Sequence, residues 1–198
     1  MGEFEKRTER LQGLNADAFQ SLLFGNDDRA TAIMATGLIE DLLAVTIINK
    51  FRRTPTENQA NELFIGYGPL ATLSSKTVIG FLLGVLSTDD KHDLTIIRKI
   101  RNDFAHIFAP LTFESKTIAS RCNSLKLTGA LSPKVESLVE EGPKAKFIRS
   151  TVRLFSHLVM NSYLSVEEKK TLQDHRTETN ERARTSYEKG RAKSPPSS

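Results

Sequence analysis

Arg101 and His106 are the two residues whose chemistry stands out in this sequence, and Asn102 lies beside the first of them. An imidazole exchanges protons near neutral pH, and a guanidinium group binds a phosphate through two parallel hydrogen bonds. Together these groups suit proton transfer and charge stabilisation at a phosphate. The alternative interpretation is structural: Arg101 pairs with an acidic residue, and His106 caps the helix or hydrogen-bonds near its end.

One predicted helix, from Thr88 to about Phe108, has to position these residues. Ser87 or Thr88 can cap its N-terminus, and Pro110 prevents its continuation. Its apolar side chains recur every three or four residues, which is typical of a helix with one buried face. This expected face consists of Leu94, Ile97, Ile100, Phe104, Ile107 and Phe108.

A second stripe of the same helix is polar. It holds Arg98, Asn102 and His106 at intervals of four residues, and Arg101 lies between this stripe and the apolar face. Five residues correspond to about 140° of rotation in an α-helix. The side chains of Arg101 and His106 therefore reach one phosphate only if the helix end is distorted, or if two subunits supply them across a dimer axis.

Glu40 and Asp41 lie in the middle of the most apolar run of the chain, 33–48. A buried carboxylate is costly without a partner, so we predict that one of these acids meets Arg98 or Arg101 and orients the motif. The alternative is that both acids lie on a solvated face of their helix. The same two charges indicate a core helix and not a membrane span.

Capping residues and helix breakers predict the other helices. Their expected starts are Asn15, Asn26 or Asp27, Thr56, Ser74 or Ser75, Ser115 and Lys144. In the long second helix, which should end near Phe51, the expected core positions are Ile33, Leu38, Leu42, Val45 and Ile48. In the helix after Ser74 the apolar positions are Val78, Phe81, Leu82 and Val85. The sequence shows no convincing strand, so the predicted fold class is all-α.

The segment from Arg101 to His106 resembles the R-x4-6-H signature of the HEPN superfamily of α-helical proteins. A longer series of segments resembles the mannitol operon repressor (MtlR/MltR-like) family over residues 10–172. These segments are Asn26 to Ala30, Leu38 to Leu42, Gly68 to Leu70 with Lys76, Leu83 to Leu86, and Ile97 to His106.

The resemblance implies an HEPN-like helical bundle that forms a homodimer and acts as a non-enzymatic regulator through protein–protein contacts. The alternative that it leaves open is a metal-independent HEPN endoribonuclease of the toxin or defence type, with RNA as its substrate. In that enzyme His106 would move a proton at the ribose 2′-hydroxyl or the leaving oxygen. Arg101 would hold the scissile phosphate with Asn102 in support, and Arg98 would line the groove.

Length and composition predict one helical domain at 1–172, followed by a charged tail at 173–198. The tail is nearly devoid of apolar residues and ends GRAKSPPSS, which is typical of a disordered segment. Its charges are too mixed to favour a nucleic-acid arm, and no motif that reads DNA is recognisable. A regulator of this type would therefore act through a protein partner. The net charge of +4 permits contact with nucleic acid without arguing for it.

The single cysteine, Cys122, excludes an intramolecular disulfide and fits a reducing compartment. A lone cysteine of this kind is usually a small buried hydrophobe. The four histidines lack metal-ligand spacing, so we predict no metal and no cofactor. The charged N-terminus does not have the pattern of a signal peptide. We therefore expect a cytoplasmic protein that makes no membrane contact.

Overall fold

Residue types at the helix ends explain most of the helix boundaries. The computed structural model describes residues 2–9, 11, 19, 23–24, 27–131, 136 and 140–162, and regular structure in these residues is helical. The predicted all-α class is confirmed. The helices whose bounds the described residues give are α1 (Glu3–Glu9), α2 (Asp28–Lys50), α3 (Glu57–Phe64), α4 (Leu73–Leu82), α5 (Thr88–His106) and α6 (Lys116–Asn123). A further helix, α7, begins at residue 143 and is described up to residue 162. The predicted tail at 173–198 and most of the helix expected from Asn15 lie outside the described residues.

The N-terminus of α5 is closed by a reciprocal pair of hydrogen bonds. The Ser87 hydroxyl accepts from the backbone N–H of Asp90 at 3.1 Å, and the Asp90 carboxylate accepts from the N–H of Ser87 at 2.8 Å. This capping box satisfies two backbone donors that the helix itself leaves free. Asp27 caps α2 and Thr56 caps α3 in the same general way, so the predicted starts of these three helices are confirmed.

The start of α4 differs from the prediction by about two residues. The helix begins at Leu73, and its cap is Thr72, whose hydroxyl accepts from the N–H of Ser75 at 3.1 Å. Threonine and serine are both good caps, and three of them follow closely in this stretch. The prediction of Ser74 or Ser75 as the cap was therefore wrong, because the first of these three residues, Thr72, caps the helix.

Three helices, α2, α4 and α5, pack against one another and form the centre of the structure. The Arg29 guanidinium, at the start of α2, donates to the carbonyl oxygens of Phe104 and Ile107 at the end of α5. This contact shows that α2 and α5 run antiparallel. Gly80 lies where α4 approaches α2 closely, since a Cβ atom there would lie 3.1 Å from a methyl group of Leu43.

The buried face of α2 is not the predicted one. Of the five predicted core positions only Leu42 is fully buried, and Ile33 faces the surface. The buried set is Thr31, Ala32, Ala35, Thr36, Ile39, Leu42, Leu43, Ala44, Thr46 and Ile47. The buried threonines are tolerated because their hydroxyls donate to backbone carbonyls; Thr36 and Thr46 donate to the carbonyl four residues earlier, at 2.7 and 2.8 Å, and Thr31 donates to Leu23.

The apolar pattern is also misleading at the ends of α4 and α5. Leu82 is 71% exposed, and the buried residues of α4 include Lys76 and Gly80. In α5 the predicted positions from Leu94 to Phe104 are buried, which confirms that part of the prediction. Phe108 is 99% exposed, because the helix ends at His106 and the residues after it leave the helical phase.

Asp93 joins α5 to two other parts of the fold. Its carboxylate is fully buried and accepts from the backbone N–H groups of Lys126 and Leu127, each at 2.9 Å, and from the Ser150 hydroxyl at 2.7 Å. The segment after α6 and the helix α7 are therefore attached to α5 through one side chain.

Among the described helices, α2 has the length and apolar composition that would allow a helix to cross a membrane. In the structure, 56% of its most apolar window is buried inside the protein. The burial of α2 against α4 and α5 is what the sequence predicted for a core helix.

Candidate functional site

A cleft of about 370 Å³ opens between α2, α5 and the first residues of α4. Its walls come from three stretches that are far apart in the sequence. The lining residues are Thr36, Glu40, Ala71, Thr72, Leu73, Ser74, Arg98, Arg101 and Asn102. The antiparallel packing of α2 and α5 brings the middle of one helix beside the middle of the other.

Four of the residues singled out in the sequence line this cleft. They are Glu40 on α2 and Arg98, Arg101 and Asn102 on α5. Asp41, the second predicted acid, is half-buried and is not part of the lining. The cleft thus gathers some polar residues from each of the two predicted groups, and it provides a concave surface of the size that small-molecule sites commonly have.

The two arginines are three residues apart on α5, so they lie on one face of the helix. Both are half-buried, and among the described residues neither guanidinium has a carboxylate partner. The Arg101 guanidinium donates instead to the side-chain oxygen of Asn102 at 3.2 Å. Like charges at this spacing repel each other. The cleft therefore holds positive charge that no carboxylate of the described part of the chain pairs with directly.

Glu40 has a partner that the sequence analysis did not identify. The Lys76 ammonium group lies 2.7 Å from the Glu40 carboxylate and donates to the Ala71 carbonyl at 3.0 Å. The Lys76 side chain is 3% exposed, so this ion pair is largely shielded from water. Glu40 therefore meets a lysine and not Arg98 or Arg101. The signal for Lys76 was its position on an apolar helix, where a cation requires a partner.

His106 lies apart from the cleft. It is the last residue of α5, its side chain is exposed, and it does not line the cleft that Arg101 lines. The helix is regular between the two residues, so they differ by about 140° in direction and about 7.5 Å along the axis. A single chain therefore does not bring Arg101 and His106 together, and their joint action across a dimer stays a prediction.

The other histidines of the described residues and the cysteine have structural contacts. A ring nitrogen of His157 lies 2.8 Å from the Asp90 carboxylate, and one of His92 lies 3.0 Å from the Ser124 carbonyl. Cys122 is fully buried, as predicted, and its burial raises the pKa of the thiol to about 12. Within the described ranges, no three or more His, Cys, Asp or Glu side chains form a group suited to a metal ion.

No protein-family model and no curated protein matches this sequence. Among solved structures, the chain is similar to one in the X-ray structure of the MtlR–HPr complex from Escherichia coli. The two share 19% sequence identity with a TM-score of 0.56, and the match covers 71% of this chain and 98% of the other. At this level of identity the likeness shows a shared helical fold.

Proposed function

We propose that this protein is a non-enzymatic regulator that acts by binding another protein, as the resemblance to the mannitol operon repressor family implies. The observation that carries the proposal is the composition of the cleft. It holds Arg98, Arg101 and Asn102 but no histidine, and its one carboxylate, Glu40, is engaged by Lys76. Such a cleft is equipped to bind an anionic group, whereas general acid–base catalysis requires a side chain that can exchange its proton.

The fold supports a protein partner of the HPr type. The MtlR chain with which this chain shares its fold was crystallised with HPr, and the shared fold extends over 98% of that chain. We found no motif in the sequence that reads DNA directly. A regulator of this kind would therefore influence transcription through its partner.

A direct titration tests this function. Purified full-length protein is titrated with HPr by isothermal calorimetry, and the mass of the mixture is measured by size-exclusion chromatography with light scattering. We expect saturable heat and a complex whose mass exceeds that of either protein. A folded protein that gives neither signal with HPr from its own host or from Escherichia coli would contradict the proposal.

The second candidate is the alternative named above, a metal-independent HEPN endoribonuclease. The observation in its favour is that His106 is exposed beside two exposed apolar residues, Ile107 and Phe108. A second copy of the chain that covered this surface would shield its apolar side chains from water. It would also bring the His106 side chain of one subunit close to the other subunit. The ribonuclease function thus requires a homodimer.

An RNA cleavage assay in EDTA separates the two functions. The wild type is compared with Arg101→Ala and His106→Ala, and light scattering reports the oligomeric state of each protein. Metal-independent cleavage that both substitutions abolish would support the ribonuclease. A folded wild-type protein that leaves the RNA intact would support the regulator. A monomer would contradict the ribonuclease, because a single chain does not bring Arg101 and His106 together.

A further inference from the structure

Among the described residues, the cleft holds more positive charge than the carboxylate in its lining balances. Arg98 and Arg101 line the cleft, and Lys76 lies directly behind its wall. The single carboxylate in the lining is that of Glu40, and it is already engaged by Lys76 at 2.7 Å. Both guanidinium groups are therefore left with their charge uncompensated by any carboxylate among the described residues.

The cleft also presents neutral hydrogen-bond donors. The side-chain oxygen of Asn102 accepts from Arg101, which leaves its amide N–H groups free to face a ligand. Ser74 contributes an exposed hydroxyl. Leu73 and Ser74 belong to the first turn of α4, where backbone N–H groups have no acceptor within the helix. Leu73 and Ser74 line the same cleft as the arginines.

We infer that this cleft binds a phosphoryl group, carried by a small phosphate monoester or present as free phosphate. A guanidinium group donates two parallel hydrogen bonds, so the two arginines together present four donors. A phosphoryl group has three terminal oxygens and a charge near −2, and it matches this set better than a carboxylate with two oxygens and one charge. A volume of about 370 Å³ accommodates a small molecule.

Lys76 acts in this site as a positioning residue. Its ammonium group joins Glu40 of α2 to the carbonyl of Ala71, which is part of the cleft wall. This bridge fixes the Ala71–Ser74 stretch against α2 and holds the donors of α4 at a constant distance from the arginines. The ligand itself is bound by Arg98, Arg101, Asn102 and Ser74.

Calorimetric titration of the full-length protein tests the inference. The probes are phenyl phosphate, inorganic phosphate and, as the matched carboxylate, benzoate, all at constant ionic strength. The variants are Arg98→Gln and Arg101→Gln, with Lys99→Gln as the control, because Lys99 is exposed on the same helix and lies outside the cleft. Thermal unfolding establishes that each variant is folded.

We expect saturable binding of a phosphate probe that each arginine substitution weakens roughly tenfold or more, since a charge-assisted hydrogen bond is lost. Lys99→Gln should bind as the wild type does. Tighter binding of phenyl phosphate would identify a monoester as the ligand class, and equal or tighter binding of inorganic phosphate would identify free phosphate.

Several results would overturn the inference. The first is the absence of saturable binding of either phosphate to the wild type. The second is benzoate binding as tight as that of the phosphates. The third is a loss of phosphate affinity in Lys99→Gln that equals the loss in the arginine variants. Binding of an RNA oligonucleotide without binding of either small phosphate would also overturn it. Because the HPr titration is a separate measurement on the same proteins, failure of the phosphate site and failure of the proposed regulator function are distinguishable.

Discussion

The ammonium group of Lys76 on α4 lies 2.7 Å from the carboxylate of Glu40 on α2, and it also donates to the Ala71 carbonyl. The lysine is almost fully buried, whereas the glutamate is about one-fifth exposed, at 21%. An ion pair in this position adds little net stability compared with apolar residues of the same shape. It is costly to break, however, because one charge is then left behind without its partner.

Lys76→Met is therefore expected to lower the free energy of unfolding by about 2–3 kcal/mol, since Glu40 loses its partner while it stays partly shielded from water. The double variant Lys76→Met/Glu40→Leu should recover at least half of this loss, because it removes both charges. Urea denaturation followed by circular dichroism measures both effects.

The control for this prediction is Lys99→Met, which removes an exposed lysine from α5 and should change the unfolding free energy by no more than about 0.5 kcal/mol. If Lys76→Met costs no more than this control, the ion pair does not hold α4 against α2. The same result would also remove the argument that Lys76 positions the cleft wall.

The outline of the site could be predicted from the sequence because α5 has strong local signals. Ser87 begins the helix, and the polar stripe holds Arg98 and Asn102 at a helical spacing. These are properties of neighbouring residues in one helix, which a sequence displays directly. The inclusion of Glu40 in the same site was expected from the cost of a buried carboxylate, and both helices do line one cleft.

The remaining features depend on tertiary packing that local patterns do not contain. Lys76 and Glu40 are 36 residues apart, and nothing in the spacing of either indicates the other. The buried face of α2 was missed because threonine and alanine are buried there, while Ile33 faces the surface. An apolar pattern identifies a buried face only when a helix has one such face, and α2 packs on α1, α4 and α5 at once.

Asp93→Ala is expected to be more destabilising than most single substitutions. The substitution leaves the buried Ser150 hydroxyl and the partly buried N–H groups of Lys126 and Leu127 without their acceptor. Buried donors without partners cost about 1–3 kcal/mol each, so we expect a loss of roughly 3 kcal/mol or more. Equilibrium unfolding in urea measures the change.

Asp89→Ala is the matched control, since Asp89 lies one turn before Asp93 in α5 and makes one exposed ion pair, with Lys126 at 2.9 Å. Exposed pairs of this kind contribute about 0–1 kcal/mol. A similar loss in both variants would mean that the buried carboxylate of Asp93 does not join α7 to α5 as the structure indicates.

Stability should fall at acid pH through Glu136 and Glu141. Hydrogen bonds from the Arg149 guanidinium hold the pKa of both carboxyl groups below the ordinary value of 4.5. A carboxyl group whose pKa is lower in the folded than in the unfolded protein stabilises the fold above its unfolded pKa. This contribution begins to be lost as the pH falls below about 4.5, the ordinary pKa of the groups in the unfolded protein. The loss is complete once the pH lies below the pKa values of the two groups in the folded protein.

The measurement compares urea midpoints at neutral pH and near pH 3 for the wild type and the Glu136→Gln/Glu141→Gln variant. The variant should be less stable at neutral pH, and the two proteins should become similar at acid pH because protonation removes the same charges. A constant difference between them at all pH values would show that Arg149 does not influence the ionisation of these two acids.

Gly37→Ala is expected to stabilise the protein by about 0.5–1 kcal/mol, because alanine favours a helix more than glycine does. Gly37 lies inside α2 with its open side facing solvent, and a Cβ atom there would meet nothing within 4 Å. Gly80→Ala in α4 is the comparison, since its Cβ would lie 3.1 Å from Leu43 and 3.2 Å from Leu86. There the gain in helix preference is offset by crowding between α4 and α2.

Thermal unfolding should therefore rank Gly37→Ala above the wild type and Gly80→Ala below Gly37→Ala. The reverse order would mean that the exposed face of α2 is covered in solution.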